Sequence, residues 1–193
     1  MYEGKADWSA IKNLVEHLKP TGVPVLGNGD IWSGADGVRM VKETGCAGVV
    51  VGRGCLGRPW LFADLVESFN GGEKKVLPSL HQVSEVMYRH GELIVDYFES
   101  EDRGCRDLRK HMAWYLKGFR VHSELRRQFG MVGSLNELRS LLSQLDDQPY
   151  PVDIAEKPRG RTSSGRPPTL PDGWLNDPDE MIHLDAEDMF SGG

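Results

Sequence analysis

The sequence predicts an α/β plus all-α chain: the last strands of a TIM (β/α)8 barrel, then a small helical bundle, then a disordered tail. Three observations carry that expectation. Two apolar runs about twenty residues apart, Val25-Leu26-Gly27-Asn28-Gly29-Asp30-Ile31 and Gly48-Val49-Val50-Val51-Gly52-Arg53-Gly54, each stop at glycines and a polar or charged residue. Such runs, with a helical pattern between them, read as successive parallel strands. From Pro59 to Leu145 helical patterns follow one another without a strand pattern. After Pro149 the composition changes: 156–168 is rich in Pro, Arg, Gly and Ser, and 171–193 holds seven acids and no lysine or arginine. That is the composition of a linker and an unfolded tail.

The elements follow in order. Asp7 is placed to cap a helix carrying Trp8, Ile11, Leu14, Val15 and Leu18 on one face, and Pro20 and Gly22 end it. Val23–Leu26 is the first strand. Ser33 caps a second helix with Val38 and Val41 inward, and Gly45 sits where a C-terminal glycine cap belongs. Ala47–Val51 is the second strand. Pro59, a favoured first-turn residue, begins a helix through Phe69. Ser79 and Gln82 form a capping-box pattern before a long helix, about Leu80 to Glu99. Helical stretches follow at Gly104–Leu116 and Ser123–Phe129, and Ser134 with Glu137 repeats the box before a helix ending near Leu145. The domains expected are thus 1–70 as barrel, 71–148 as helical domain and 149–193 as linker and tail. In the tail, Trp174, Leu175, Met181, Ile182 and Leu184 could dock part of it on the body.

Composition excludes some classes. The 193 residues carry a formal net charge of −6, with no apolar run near the ~18 residues that a membrane span requires. Tyr2-Glu3-Gly4-Lys5 does not resemble a targeting segment. Cys46, Cys55 and Cys105 are an odd number without C-x-x-C spacing, which points to reduced thiols in a cytoplasmic protein and to no zinc site.

The glycine ends are the first candidate site. Asn28-Gly29-Asp30 and Gly52-Arg53-Gly54 can aim backbone N–H groups at a dianion, and Arg53 can add a charge-assisted contact. The plainer alternative is tight turns and a solvated Arg53. The second candidate is basic. Between Arg103 and Arg127 stand eight cations against Asp107 and Glu124, and His111, Trp114 and Tyr115 are interleaved. Arg106, Arg109 and Lys110 share a helix face, with Arg126 and Arg127 further on. Basic groups among aromatics suit a phosphate backbone and unpaired bases, although a solvated helix face reads the same way. Cys55 follows the second loop, but no neighbour supplies a base, so a small buried thiol is the better reading. No histidine has metal-ligand spacing.

At these residues the chain resembles a family. Asn28-Gly29-Asp30-Ile31, the run Gly45 to Gly54, Gly57-Arg58-Pro59-Trp60-Leu61-Phe62, Arg109-Lys110-His111 with Trp114-Tyr115-Leu116, and Arg126-Arg127-Gln128-Phe129 are similar to the C-terminal half of bacterial tRNA-dihydrouridine synthases. The resemblance spans about residues 2 to 146. It implies an FMN-dependent flavoprotein oxidoreductase that reduces a uridine in tRNA to 5,6-dihydrouridine, with NADPH recharging the flavin. It implies that Asn28, Gly29 and Asp30 belong to one FMN-phosphate loop and Gly52, Arg53 and Gly54 to the other. The basic helix corresponds to part of the tRNA surface. The family's catalytic cysteine lies in the barrel half that this chain does not span, so no catalytic residue is expected here. Two strands of about eight leave sheet edges and an apolar face uncovered. The expectation is therefore a fragment, a split enzyme completed by a separate N-terminal half, or a truncated gene product. The alternative is a stand-alone RNA-binding helical module on a barrel remnant.

Overall fold

The computed structural model describes residues 5–159. The tail from residue 160 on, with its expected disorder and docking residues, lies outside them. Among the described residues the chain is mostly helical with two short parallel strands. The order is α1 (Trp8–Leu18), β1 (Leu26–Asn28), α2 (Gly34–Thr44), β2 (Gly48–Val50), α3 (Leu61–Phe69), α4 (Leu80–Phe98), α5 (Glu101–Tyr115), α6 (Ser123–Phe129), α7 (Leu135–Leu142) and α8 (Val152–Ala155).

The strands pair in parallel with Leu26 opposite Gly48, Gly27 opposite Val49 and Asn28 opposite Val50. Alternation then gives the sheet two faces. Gly27 lies against Met40 and Cys46 on one, where a side chain would collide with the Met40 sulfur. Met40, Cys46, Ile31, Leu61 and Leu65 form this small core, with Trp8, Ile11 and Val15 of α1 packed on it. Leu26 and Val50 lie on the other face and are about half exposed. On α3, Phe62, Val66 and Phe69, at helical spacing, are exposed as well. This half of the molecule therefore shows apolar surface on two sides.

The expected caps are present. Asp7 and Ser33 accept the N–H groups of Ser9 and Asp36, and Gly45 ends α2 in the left-handed conformation with φ 73°. Ser79 and Gln82 make the full capping box. At α7 the box is altered: Ser134 accepts the Glu137 N–H, but the Glu137 carboxylate accepts from Gly133. The bounds of several elements, and the inward face of one helix, differ from the expectations: β2 is shorter by Ala47 and Val51, α3 begins at Leu61 and α7 ends at Leu142. β1 begins at Leu26 and not Val23, because Pro24 has no N–H for a ladder and Val23 is 58% exposed. α5 begins at Glu101, one turn early, because Ser100 caps it by accepting the Arg103 N–H. The inward face of α2 is Gly37, Met40 and Thr44, whereas Val38 and Val41 are only half-buried, and Leu14 of α1 points outward.

The larger core belongs to the helices. Met87 and Val83 of α4 meet Leu108 and Met112 of α5, closed by Phe129 and Leu138. α4 and α5 run antiparallel at close range, with Gly104 against the Val95 backbone and Gly91 against Leu108. Trp60 leaves the barrel-like part to join this core, edge-on to Tyr150 at 5.8 Å. The expectation of a linker from Pro149 does not hold for its first residues. Through 159 the chain packs back, with α8 and a buried Ala155, because Pro151 and Ile154 find an apolar seat against Gly118.

Gly57 sets the junction between the two parts. Its φ is +62°, and a side chain there would run into the Trp114 and Tyr115 backbone. Gly57→Ala is expected to cost about 2–4 kcal/mol, the sum of a left-handed residue and overpacking against rigid backbone. Gly22→Ala, with φ +71° but nothing within 4 Å, should cost only about 1–2 kcal/mol. Urea unfolding midpoints of the two variants check the difference.

Candidate functional site

The parallel register brings both glycine ends to one edge of the sheet. Asn28 is the last residue of β1, and its side-chain amide donates to the Val50 carbonyl at 3.0 Å, closing the two strand ends together. Asp30 sits in the left-handed region with φ 52°. Its carboxylate accepts the Ala6 N–H at 2.7 Å and lies 3.7 Å from Arg53 Nη2. The Trp8 indole donates to the Gly29 carbonyl at 3.0 Å, so the first loop is tied to the start of the chain twice. The polar side chains of Asn28 and Asp30 are thus directed to the protein's own groups, and Asp30 orients Arg53.

Residues Arg53–Cys55 form a single 3-10 turn after Gly52. The Arg53 guanidinium lies over the Trp32 ring at 5.4 Å and remains one-third exposed. A side chain on Gly54 would strike the Ile31 carbonyl, so the two loops touch there. Around Gly52, by contrast, there is open space: an added Cβ would meet nothing within 4 Å. A cation, an open backbone turn and no blocking side chain are what an anionic group requires. Cys55 Sγ donates to the Gly52 carbonyl at 3.1 Å, and burial pushes its pKa up, only partly opposed by Arg159. This is a protonated turn residue and not an activated thiolate. A cleft of about 810 Å³ between α2 and α3 contains none of the six loop residues and is unrelated to this edge.

The basic residues divide into two kinds. Arg106, Lys110 and Arg127 are exposed and lean on acids of their own helices: Asp102 at 3.0 Å, Asp107 at 2.6 Å and Glu124 at 2.6 Å. Arg109 and Arg126 turn inward. Arg109 Nε donates to the Val132 carbonyl at 2.8 Å, linking α5 to the turn before α7. Arg126 donates to the Leu116, Phe119 and Val121 carbonyls, satisfying the frayed end of α5. Helical spacing alone did not separate the two kinds, because it says nothing of which long side chain reaches a neighbouring carbonyl. Asp102, four residues before Arg106, was the readable signal for one of the pairs. Trp32 under Arg53, the tie from Ala6 to Asp30 and the buried Arg159 carry no sequence signal, and Arg58 is visible only in the family resemblance.

Beside the basic face, His90 of α4 and His111 of α5 stack at 4.9 Å, and the Tyr115 hydroxyl lies 3.0 Å from His90 Nδ1. Burial lowers the pKa of both histidines; His90 is lowered further by His111, and His111 by Lys110. Burial also pushes Tyr115 up to about 12, so its hydroxyl stays protonated and can donate to a neutral His90. All three cysteines are free thiols. Among the described residues no helix is long and apolar enough to cross a membrane.

The chain is thus a two-stranded parallel α/β unit with two glycine turns and a cation at one sheet edge, joined to a helical bundle with exposed basic residues. Comparison with known proteins places it further. The family described as Dihydrouridine synthase (Dus) matches residues 1–148, and the chain belongs to that family. The chain is 50% identical over its whole length to a probable tRNA-dihydrouridine synthase of Mycobacterium leprae, covering 50% of that protein. It is 49% identical to the Mycobacterium tuberculosis counterpart, covering 49% of it. A probable tRNA-dihydrouridine synthase of Rickettsia bellii is 38% identical over 136 residues, 70% of this chain and 40% of that protein. The chain thus spans about half the length of the mycobacterial relatives it matches.

The histidine pair makes stability fall in acid. Both folded-state pKa values lie below the ordinary 6.5, so as pH drops through 6.5 the unfolded chain takes up protons first. Stability present above that pH is lost progressively until the folded rings protonate as well. The Tm should therefore decrease from pH 7 to pH 5.5, and His90→Gln with His111→Gln should remove part of the decrease. Calorimetry at the two pH values measures it.

Proposed function

We propose that this chain is the C-terminal part of an FMN-dependent tRNA-dihydrouridine synthase, acting with NADPH in the cytoplasm, whose barrel is completed by a further α/β segment. The observation that carries this reading is the pairing of β1 and β2, which sets Gly29–Asp30 beside Gly52–Gly54 with Arg53 held between Asp30 and Trp32. The open side of Gly52 and the part-exposed guanidinium fit a phosphate monoester, and family membership supports FMN as its bearer. Bound there, the flavin would supply the hydride that reduces the uracil ring.

The chain's own residues then have separate tasks. Arg53 and the glycine-turn amides hold the phosphate, and Asp30, Asn28 and Trp32 keep that turn in place. Arg106, Lys110 and Arg127 face the tRNA backbone, while Arg109 and Arg126 shape the helices that present them. No described cysteine is offered to the base, since Cys46 and Cys105 are buried and the Cys55 thiol donates to the Gly52 carbonyl. The exposed Leu26, Val50, Phe62 and Val66 support completion by another segment, because apolar surface of this extent otherwise stays in water. The runner-up, an RNA-binding module without flavin, is supported by the size of the helical core.

Co-expression with the N-terminal half of the Mycobacterium tuberculosis relative separates the readings. The pair should retain FMN and raise dihydrouridine in tRNA above the level given by either half. tRNA binding without flavin from either preparation would favour the RNA-binding module. Within the pair, Arg53→Ala is expected to weaken FMN about tenfold or more, the loss of a charge-assisted contact, and to leave tRNA affinity unchanged. Arg106→Ala with Lys110→Ala should do the opposite and reduce the slope of log K against log salt by about 1–2. A slope equal to that of the parent would return the face to plain solvation.

A further inference from the structure

The segment 149–159 lies beyond the residues that the family match covers, yet within the span shared with the mycobacterial relatives. It is anchored to both parts of the body. Lys117 Nζ at the end of the bundle donates to the Lys157 and Pro158 carbonyls at 3.0 and 3.1 Å. Glu156 takes Lys75 at 2.8 Å and lies 3.9 Å from Arg58. The segment then delivers Arg159, only 3% exposed, to the back of the second glycine turn. Arg159 Nε donates to the Leu56 carbonyl at 2.6 Å, and Nη1 to the Ala155 carbonyl at 2.6 Å. Leu56 is the cap of the Arg53–Cys55 turn, and its N–H donates to the Arg53 carbonyl at 3.2 Å.

A buried guanidinium is tolerated only where carbonyls or carboxylates take its protons. Burial and the nearby Arg58 push its pKa down to about 10, so it is still charged at neutral pH. The other end of that bond is a weak element. A lone 3-10 turn preceded by Gly52 and containing Gly54 has poor hydrogen-bond geometry and high freedom to lose. A binding group on such a turn is productive only when a second layer of contacts fixes it.

We propose that Arg159 is a positioning residue: by fixing the Leu56 carbonyl it holds the Gly52–Gly54 turn, and Arg53 on it, ready for a phosphate-bearing ligand. This rests on the phosphate reading given above. The segment after the residues that the family match covers is thus a strap that acts on the ligand loop through Arg159, independently of its Lys117 anchor on the bundle.

The test uses the full chain in the co-expressed pair, with amide NMR of Gly52, Gly54, Cys55 and Leu56 and FMN titration by fluorescence. Arg159→Gln should shift those four amides and weaken FMN about tenfold, the loss of a preorganised loop. Lys117→Gln, which loosens the strap without touching Leu56, should leave both nearly unchanged, and Arg159→Lys should recover part of the affinity. Should Arg159→Gln not fold, Arg159→Lys must still shift the four amides. Shifts confined to 149–159, or an equal effect from Lys117→Gln, would overturn the proposal. If the four amides move while the parent pair binds no FMN, the positioning role stands and the phosphate reading falls.

Discussion

Everything at the candidate site depends on the parallel register of two very short strands. Three residue pairs place Asn28 opposite Val50, and only in that register do the two glycine ends leave the sheet side by side. A one-residue slip of β1 would turn Leu26 into the helix-covered face and expel Gly27. The helical side resists this, because Gly27 has no side chain and Met40 and Cys46 fill the space beneath it. The Asn28 amide on the Val50 carbonyl secures the same register from the ligand side. One glycine and one asparagine thus hold the strand ends where Arg53 becomes useful.

The second constraint is electrostatic and lies where the two parts of the chain meet. Arg58 and Asp64 are almost fully buried, Glu156 is near them, and Arg159 is buried next to the Leu56 carbonyl. Placing four ionic groups there costs desolvation, which hydrogen bonds to Trp32, Val76 and Ala155 partly offset. Apolar residues of the same volume would pack at least as stably, but they would not specify direction. Arg58 reaches the Trp32 carbonyl, one residue from Asp30's loop, and Arg159 reaches the other loop. The buried charges therefore connect the segment 149–159 to the backbone beside both glycine turns, a specificity that greasy packing does not supply.

Much of this was legible in the sequence, for identifiable reasons. Helix caps act over three or four residues, so Asp7, Ser33, Gly45 and Ser79 announce themselves locally. The glycine ends are legible because an apolar run that stops at glycine has few other uses. Contacts across more than about twenty residues leave no such mark. Nothing near Arg159 announces that its side chain meets Leu56, or near Arg126 that its partners are carbonyls at the end of α5. The composition of 149–159 even pointed the wrong way. Three prolines and several charges look like linker until Gly118, more than thirty residues earlier, is seen to leave room for Pro151 and Ile154 to pack against it.

The basic face poses a sharper question, since Arg106, Lys110 and Arg127 are each already paired within their own helix. Exposed pairs of this kind contribute only about 0–1 kcal/mol, because water screens the charges and two long side chains must be held together. A polyanion offers each cation several phosphate oxygens at once and gains from released counterions. Exchanging a weak partner for such a surface therefore meets little resistance. From Glu101 to Arg127 eight cations still outnumber four acids, which leaves part of the field uncancelled. A chain with net charge −6 can in this way present a local positive surface. On the tRNA reading proposed above, the intrahelical acids are placeholders that keep the cations extended until the polyanion replaces them.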